Sequence, residues 1–224
     1  MSKNIFITGI GTDIGKTYVS ALIVKYLKEL GYKSGYYKAA VSGNEKVNGV
    51  LIPQDAKFVR DTAKLDEDVN NMVSYVYEEA VSPHLAAIRT NNPVDMSVII
   101  NDFEKICQKN DYVTVEGSGG ILCPIRYDSQ KIWLEDIIKK LNLSVIIVAN
   151  AKLGSINSTG LTVSYLKSKN IKIKGIILND FCENDYMEQD NKSIIEDLTQ
   201  TNIIACVKRN AQDIVIKGIE KLYE

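Results

Sequence analysis

Three groups of residues in this chain have types and spacings that could do chemistry. The first is a loop, Gly9-Ile10-Gly11-Thr12-Asp13-Ile14-Gly15-Lys16-Thr17, set between an apolar run and a helical one. Glycines there let successive amides turn inward, a helix start adds partial positive charge, and lysine can reach the outer oxygens of a bound phosphate chain. The threonine after the lysine offers a hydroxyl to a metal ion. Five residues separate Gly9 from Gly15 where the usual phosphate loop has four, so the loop is a variant. The second group is Lys38 and Ser42, which follow the short apolar run Ser34-Gly35-Tyr36-Tyr37. The third is Glu116-Gly117-Ser118-Gly119-Gly120, where a carboxylate at a strand end beside glycines suits Mg²⁺ next to phosphates.

Other polar residues leave their roles open at this level. Asp55 stands two residues after Pro53. It could complement the dipole of the helix that Pro53 opens, or supply a carboxylate to the site. His84 is the only histidine, and with no second ligand at metal spacing it reads as a structural hydrogen-bonding group. Cys107, Cys123, Cys182 and Cys206 show no metal-type spacing and read as buried thiols.

These residues need a scaffold to position them, and the apolar pattern supplies one. Ile5 to Thr8 is a strand, and Val19, Leu22, Ile23, Tyr26, Leu27 and Leu30 form the stripe of a helix that Gly31 ends. The Ser34–Tyr37 run is a strand delivering Lys38 at its end, residues 44 to 52 are a loop, and Met72 to Tyr77 are apolar and aromatic. Helices are expected from Pro53, from Ser82-Pro83-His84, and around Val98, Ile99, Phe103, Ile106 and Cys107. Further strands are Asp111–Val115, Leu143–Ala149, Lys174–Leu178 and Ile203–Val207. Between and after them come helices from Ser155 to Leu166, from 186 to 200, and from Ala211 to Tyr223 with Val215, Ile219 and Leu222 on one face. The alternation predicts a single α/β domain over residues 1–224 with a mainly parallel sheet covered by helices on both faces, and the phosphate loop between its first strand and helix makes that domain P-loop NTPase-like. Ligands then collect beyond the carboxyl ends of the strands.

Composition narrows the partners. Lysine and arginine number 27 against 28 aspartates and glutamates, and no basic cluster stands out, so nucleic acid is not an expected partner. No apolar run has the length of a membrane span and the first residues lack a leader pattern, so a cytoplasmic protein without membrane contact is expected.

Taken together, the motifs resemble the dethiobiotin synthetase family from residue 5 to about 187. The loop is similar to that family's G-T-D-T-x-V-G-K-T, Tyr37-Lys38-Ala39-Ala40-Val41-Ser42-Gly43 to its Y-K-P-x-x-S-G, and Ser82-Pro83-His84 to its S-P-H. Glu116 to Gly120 resembles E-G-A-G-G, Lys152-Leu153-Gly154-Ser155-Ile156-Asn157 resembles K-L-G-x-I-N, and Asn179-Asp180 matches N-D. The resemblance implies an ATP-dependent ligase that joins CO2 to 7,8-diaminononanoate through a carbamate and a mixed carbamic-phosphoric anhydride, with Mg²⁺ as cofactor. It implies catalytic roles for Lys16, Lys38 and Thr12. Nucleotide contacts are implied from Asp13, Ile14, Gly15, Lys16, Thr17, Tyr18, Asp55, Glu116, Gly117, Ser118, Gly119 and Asn179. Thr17, Asp55 and Glu116 would surround the metal. Ser42, Lys152, Leu153, Gly154 and Tyr186 would bind the diamine, Tyr186 from a second subunit, which implies a homodimer with shared sites. Two segments depart from the pattern: Ala39 stands where the family has proline, and Ala205-Cys206-Val207-Lys208-Arg209 replaces its base-binding G-x-I-P.

Two other readings weigh against this one. A switch ATPase of the partitioning or division-positioning type carries an extra lysine five residues before the main one, and that position here is Gly11. An amide-forming relative fed with ammonia from glutamine needs a Cys/His pair that the chain does not supply.

Overall fold

The computed structural model describes residues 2–223. Seven parallel strands form one sheet: β1 (Lys3–Gly9), β2 (Ser34–Val41), β5 (Val73–Val76), β6 (Tyr112–Glu116), β9 (Val145–Ala149), β10 (Ile173–Asn179) and β11 (Ile203–Val207). Two short hairpins, β3 (Lys46–Val47) with β4 (Val50–Leu51) and β7 (Pro124–Tyr127) with β8 (Lys131–Trp133), stand outside it. The sheet order is β11-β10-β9-β1-β6-β2-β5, so β1 and β6, which carry the phosphate loop and Glu116, are central neighbours.

Among the described residues seven helices cover the sheet: α1 (Lys16–Glu29), α2 (Gln54–Ala63), α3 (Pro83–Arg89), α4 (Met96–Lys109), α5 (Leu134–Lys140), α6 (Ser155–Ser168) and α7 (Tyr186–Thr199). Alternation along the central strands explains the two layers. Ile5 and Ile7 pack with Val19, Leu22, Ile23 and Leu27 of α1 on one face. Phe6, between them, turns to the other face and joins Ile99 and Phe103 of α4, Ile137 of α5 and Val163 of α6. A strand buried on both faces is largely apolar along its buried length, which is why β9 reads as an unbroken apolar run and β1 is apolar from Ile5 to Ile7.

The structure revises three local expectations. Lys38 lies inside β2, because Ala39 to Val41 continue the ladder with β5. Residues 44–52 fold back as the β3–β4 hairpin instead of an open loop. The helix expected over Ala211–Tyr223 is absent: Ile214 and Ile216 are buried while Val215 between them is 74% exposed. That is the two-residue period of extended chain. Gly218, at φ 69°, then turns it into one 3-10 turn, Ile219–Lys221. Residues 121–142, for which no element was expected, hold β7, β8 and α5.

Candidate nucleotide and transfer site

Between β1 and α1 the loop turns through two left-handed residues, Asp13 (φ 57°) and Gly15 (φ 87°). Gly15 sits at the start of α1, and no side chain caps that helix. The first-turn amides therefore keep their hydrogen-bonding capacity for an anion. A Cβ at Gly15 would stand 2.1 Å from Nδ2 of Asn179, which itself donates to the Ile14 carbonyl at 3.0 Å. The end of β10 thus pins the loop from behind. The Lys16 ammonium, largely buried, curls back to the Gly11 carbonyl at 2.8 Å. Burial pushes its pKa below the ordinary lysine value, Lys38 adds to the fall, and Glu116, Asp55 and Asp13 oppose it.

Sheet register assembles the rest. In the β2–β6 ladder Lys38 stands opposite Glu116, and in the β1–β6 ladder Glu116 stands opposite Ile7, at the root of the loop. Glu116 is 1% exposed. Its Oε1 accepts from Thr17 Oγ1 at 2.8 Å and from Lys38 Nζ at 2.7 Å, and its Oε2 accepts from the Tyr36 phenol at 3.0 Å. Lys38 Nζ also donates to Asp55 Oδ2 at 2.6 Å. Burial alone would lower the Lys38 pKa, but Glu116 and Asp55 outweigh it and hold the ammonium above its ordinary value. Burial, with Glu116 beside it, raises the Tyr36 phenol far above its usual range, so it remains a donor. Asp55 lies in the first turn of α2, where it both faces the helix dipole and meets Lys38.

These side chains line a cavity of about 700 Å³, shared by Thr12, Asp13, Gly15, Lys16, Thr17, Tyr18, Lys38, Ser42, Asp55, Glu116, Ser118 and Gly119. Val41, Gln54 and Phe58 complete the wall and were not foreseen. Phe58 stands three residues after Asp55 and four after Gln54 on α2, a spacing the sequence did hold. A second crevice of about 240 Å³ also touches Asp13, Gly15 and Tyr18, and is lined by Ile14, Asn150, Lys152, Asn179, Asp180, Lys208, Arg209 and Asn210.

Several of the expected residues have polar groups engaged within the chain or stand away from the main cavity. The Gly117 amide is taken by the Ile7 carbonyl at 2.9 Å, and a Cβ there would stand 2.9 Å from the Phe6 ring. This glycine lets the loop after β6 settle onto β1. The hydroxyls of Ser42 and Ser118 bond the carbonyls of Val81 and Ala40 at 2.5 and 2.7 Å. His84 packs edge-on against Tyr127, with no partner for its Nδ1 among the described residues. Lys152, Leu153, Gly154 and Tyr186 do not line the main cavity of their own chain. The Lys152 ammonium pairs with Asp180, and Leu153 and Tyr186 are 91% and 89% exposed. Tyr36 gave no signal in the sequence, since an aromatic in a strand reads as core.

Among the described residues no three His, Cys, Asp or Glu side chains cluster as a self-sufficient metal site. What converges is two carboxylates around one ammonium, with a hydroxyl donating to one of the carboxylates. That hard-oxygen set fits Mg²⁺ when phosphate oxygens and water fill its remaining positions.

The fold is that of P-loop ATPases. A ParA family ATPase from Chlorobium tepidum superposes with a TM-score of 0.58 at 14% identity, covering 94% of this chain and 86% of that one. A chain of the MinC:MinD cell division protein complex from Aquifex aeolicus gives 0.58 at 17% identity, covering 94% and 83%. Those likenesses establish architecture only. A family model described as an AAA domain matches residues 3–213. An ATP-dependent dethiobiotin synthetase BioD from Brachyspira hyodysenteriae is 52% identical over 100% of both chains. Another with that name, from Clostridium botulinum strain Alaska E43, is 47% identical over 100% of this chain and 99% of its own. With half its residues shared from end to end, and with the loop lysine, Lys38 and Glu116 meeting at one cavity, the chain belongs to the ATP-dependent dethiobiotin synthetase family.

Proposed function

We propose that the chain closes 7,8-diaminononanoate and CO2 into dethiobiotin at the expense of ATP, with the phosphoryl transfer centred on Lys38. The observation that carries this is the Lys38 ammonium, buried and within 2.7 Å of both Asp55 and Glu116 between the phosphate loop and Ser42. One substrate amine adds to CO2 and loses a proton, giving a carbamate. A carbamate oxygen then attacks the γ-phosphorus while the bond to the β-phosphate oxygen breaks and ADP departs. The second amine attacks the carbamate carbon and gives up a proton, the C–O bond to the phosphate breaks, the ring closes and phosphate leaves. Every step moves negative charge, so positioned cations do most of the catalysis.

The side chains divide that work. The amides at the start of α1 and the Lys16 ammonium receive the β- and γ-phosphates, and Thr12 assists at the junction with the carbamate. Thr17, Asp55 and Glu116 would hold Mg²⁺, which when bound neutralises the charge on the phosphate oxygens. Lys38 then exchanges its carboxylate partners for the transferring phosphoryl group and the carbamate. Ser42 and the loop after Glu116 line the diamine side. The crevice at Asn179 and Asp180, continuous with the loop, takes the nucleoside. ATP, bicarbonate and a free diamino acid as reactants fit a cytoplasmic protein. No helix among the described residues is long and apolar enough to cross a membrane.

The test is incubation with ATP, Mg²⁺, bicarbonate and diaminononanoate followed by mass detection of the cyclised product. Omission of any one component should abolish it, and product formed without ATP would refute the assignment.

The diamine's far carboxylate needs a seat that the main cavity of one chain lacks. Leu153, Leu161, Tyr186 and Leu198 expose apolar surface on α6, α7 and the turn before α6. Pairing two copies there would cover this surface and carry Tyr186 to the neighbour's cavity, with the α6 amino terminus at Gly154 receiving the carboxylate. Replacing Tyr186 with alanine is expected to raise KM for the diamine about tenfold to a hundredfold, the worth of a hydrogen bond to a charged group. The Kd for ATP should not change. An unaltered diamine titration would remove Tyr186 from the site.

A further inference from the structure

We propose that Tyr36 is a positioning residue for the metal site: its phenol anchors one oxygen of Glu116 so that the other is presented to the cavity. The inference rests on the assignment of Glu116 as a Mg²⁺ ligand. Glu116 is buried, and its two oxygens have different company. Oε1 faces Thr17 at 2.8 Å and Lys38 at 2.7 Å, both on the cavity wall. Oε2 faces the Tyr36 phenol at 3.0 Å. Tyr36 lies two residues before Lys38 on β2, so the pleat sends both side chains to the same face and toward the same carboxylate. Its ring is fully buried, against Ala21 and Val24 of α1 and Ala56 and Val59 of α2. It is therefore held by the two helices that carry Thr17 and Asp55.

The consequence appears when Lys38 leaves Glu116 for the transferring group. The buried carboxylate then loses its ionic partner at Oε1, and that oxygen becomes the one available to a metal. Tyr36 is a neutral donor with no place in the transfer, so it stays at Oε2 and keeps the carboxylate from rotating after the departing ammonium. Without it, Oε2 would be buried with no donor and Glu116 could satisfy itself only by recapturing Lys38, which would weaken the metal site and hold back the lysine together. Partners of this kind set ligand orientation and are commonly worth ten- to a hundredfold in metal affinity.

Tyr36→Phe removes a single oxygen and keeps the ring packing. The measurement is binding of Mn²⁺ to the protein in the presence of ATP, followed by the loss of its free electron-spin-resonance signal, with Glu116→Gln alongside. ATP affinity without metal and the thermal midpoint of the unliganded protein serve as controls. Tyr36→Phe is expected to weaken Mn²⁺ binding about tenfold or more while metal-free ATP affinity stays within about twofold. It should also raise the Mg²⁺ concentration for half-maximal turnover and lower kcat without raising the diamine KM. If Glu116→Gln weakens Mn²⁺ binding and Tyr36→Phe leaves it unchanged, the role of Tyr36 is overturned while Glu116 stands. If neither variant changes it, Glu116 is no ligand and both assignments fall. Loss of metal-free ATP binding in Tyr36→Phe would mark a structural role instead and equally overturn the proposal.

Discussion

Lys38→Met is expected to cut dethiobiotin formation about a thousandfold, the scale for losing several kcal/mol of positioned charge in a desolvated site. It should also weaken the unliganded fold. The Lys38 ammonium and the Glu116 carboxylate are both buried, and removing one partner leaves the other charge without its counter-ion. Breaking such a pair typically costs about 3–5 kcal/mol. Thr17 and Tyr36 still donate to Glu116, so about 3 kcal/mol is the better expectation. The pH dependence has a definite sign. The folded pKa of Lys38 is raised, so its contribution is complete below the ordinary lysine pKa of 10.5 and is lost only as pH climbs through the folded value. Denaturant unfolding of the two proteins should therefore differ by a constant amount from neutrality to about pH 10 and converge above it. The double variant Lys38→Met with Glu116→Gln should recover much of the stability and none of the activity. A Lys38→Met protein as stable as the unaltered chain would mean that the pair is not held as described.

How much of this was legible in the sequence follows from which interactions are local. The loop from Gly9 to Thr17 announces itself because its glycines, lysine and threonine act within nine residues of one another and between two periodic runs. A single-sided helix such as α4 carries its stripe in the chain. The Lys38–Glu116 pair is different. It spans 78 residues and exists because the β2–β6 register places the two opposite each other, which no local pattern encodes. Placement at strand ends marked each residue as a candidate and resemblance to the family gave each a role, yet neither gave a reason for Tyr36, whose phenol matters only once that register is set. The C-terminal segment failed for another reason. Val215, Ile219 and Leu222 satisfy a helical period, but the alternation of Ile214 and Ile216 is what the core uses, and Tyr223 is drawn in by a bond of its hydroxyl to Thr114 at 2.6 Å. Two periods competed in one short stretch, and tertiary packing chose between them. Lys152 and Tyr186 show the remaining limit: the motifs that single them out say nothing of where they stand, and in their own chain neither lines the main cavity.

Lys16→Met should behave in the opposite way to Lys38→Met before nucleotide is added and in the same way afterwards. Burial dominates at Lys16 and lowers its pKa, so the charged form is disfavoured in the unliganded fold. That cost is present below the folded pKa and fades as pH rises toward the ordinary 10.5, because the unfolded chain keeps its proton until then. Removing the ammonium at neutral pH therefore leaves the unliganded protein as stable as before or more so, although the bond to the Gly11 carbonyl goes with it. Saturating ATP reverses the order. Phosphate oxygens at the loop would supply counter-charge to Lys16, and ligand at a hundred times its Kd stabilises the unaltered protein by about 2.7 kcal/mol. The variant, without its lysine, gains little and loses about a thousandfold in turnover. Thermal unfolding of both proteins with and without ATP and Mg²⁺ should show the midpoints change rank on addition of nucleotide. A variant already destabilised without ATP would make Lys16 part of the scaffold, and one stabilised by ATP as much as the unaltered chain would place the phosphates elsewhere.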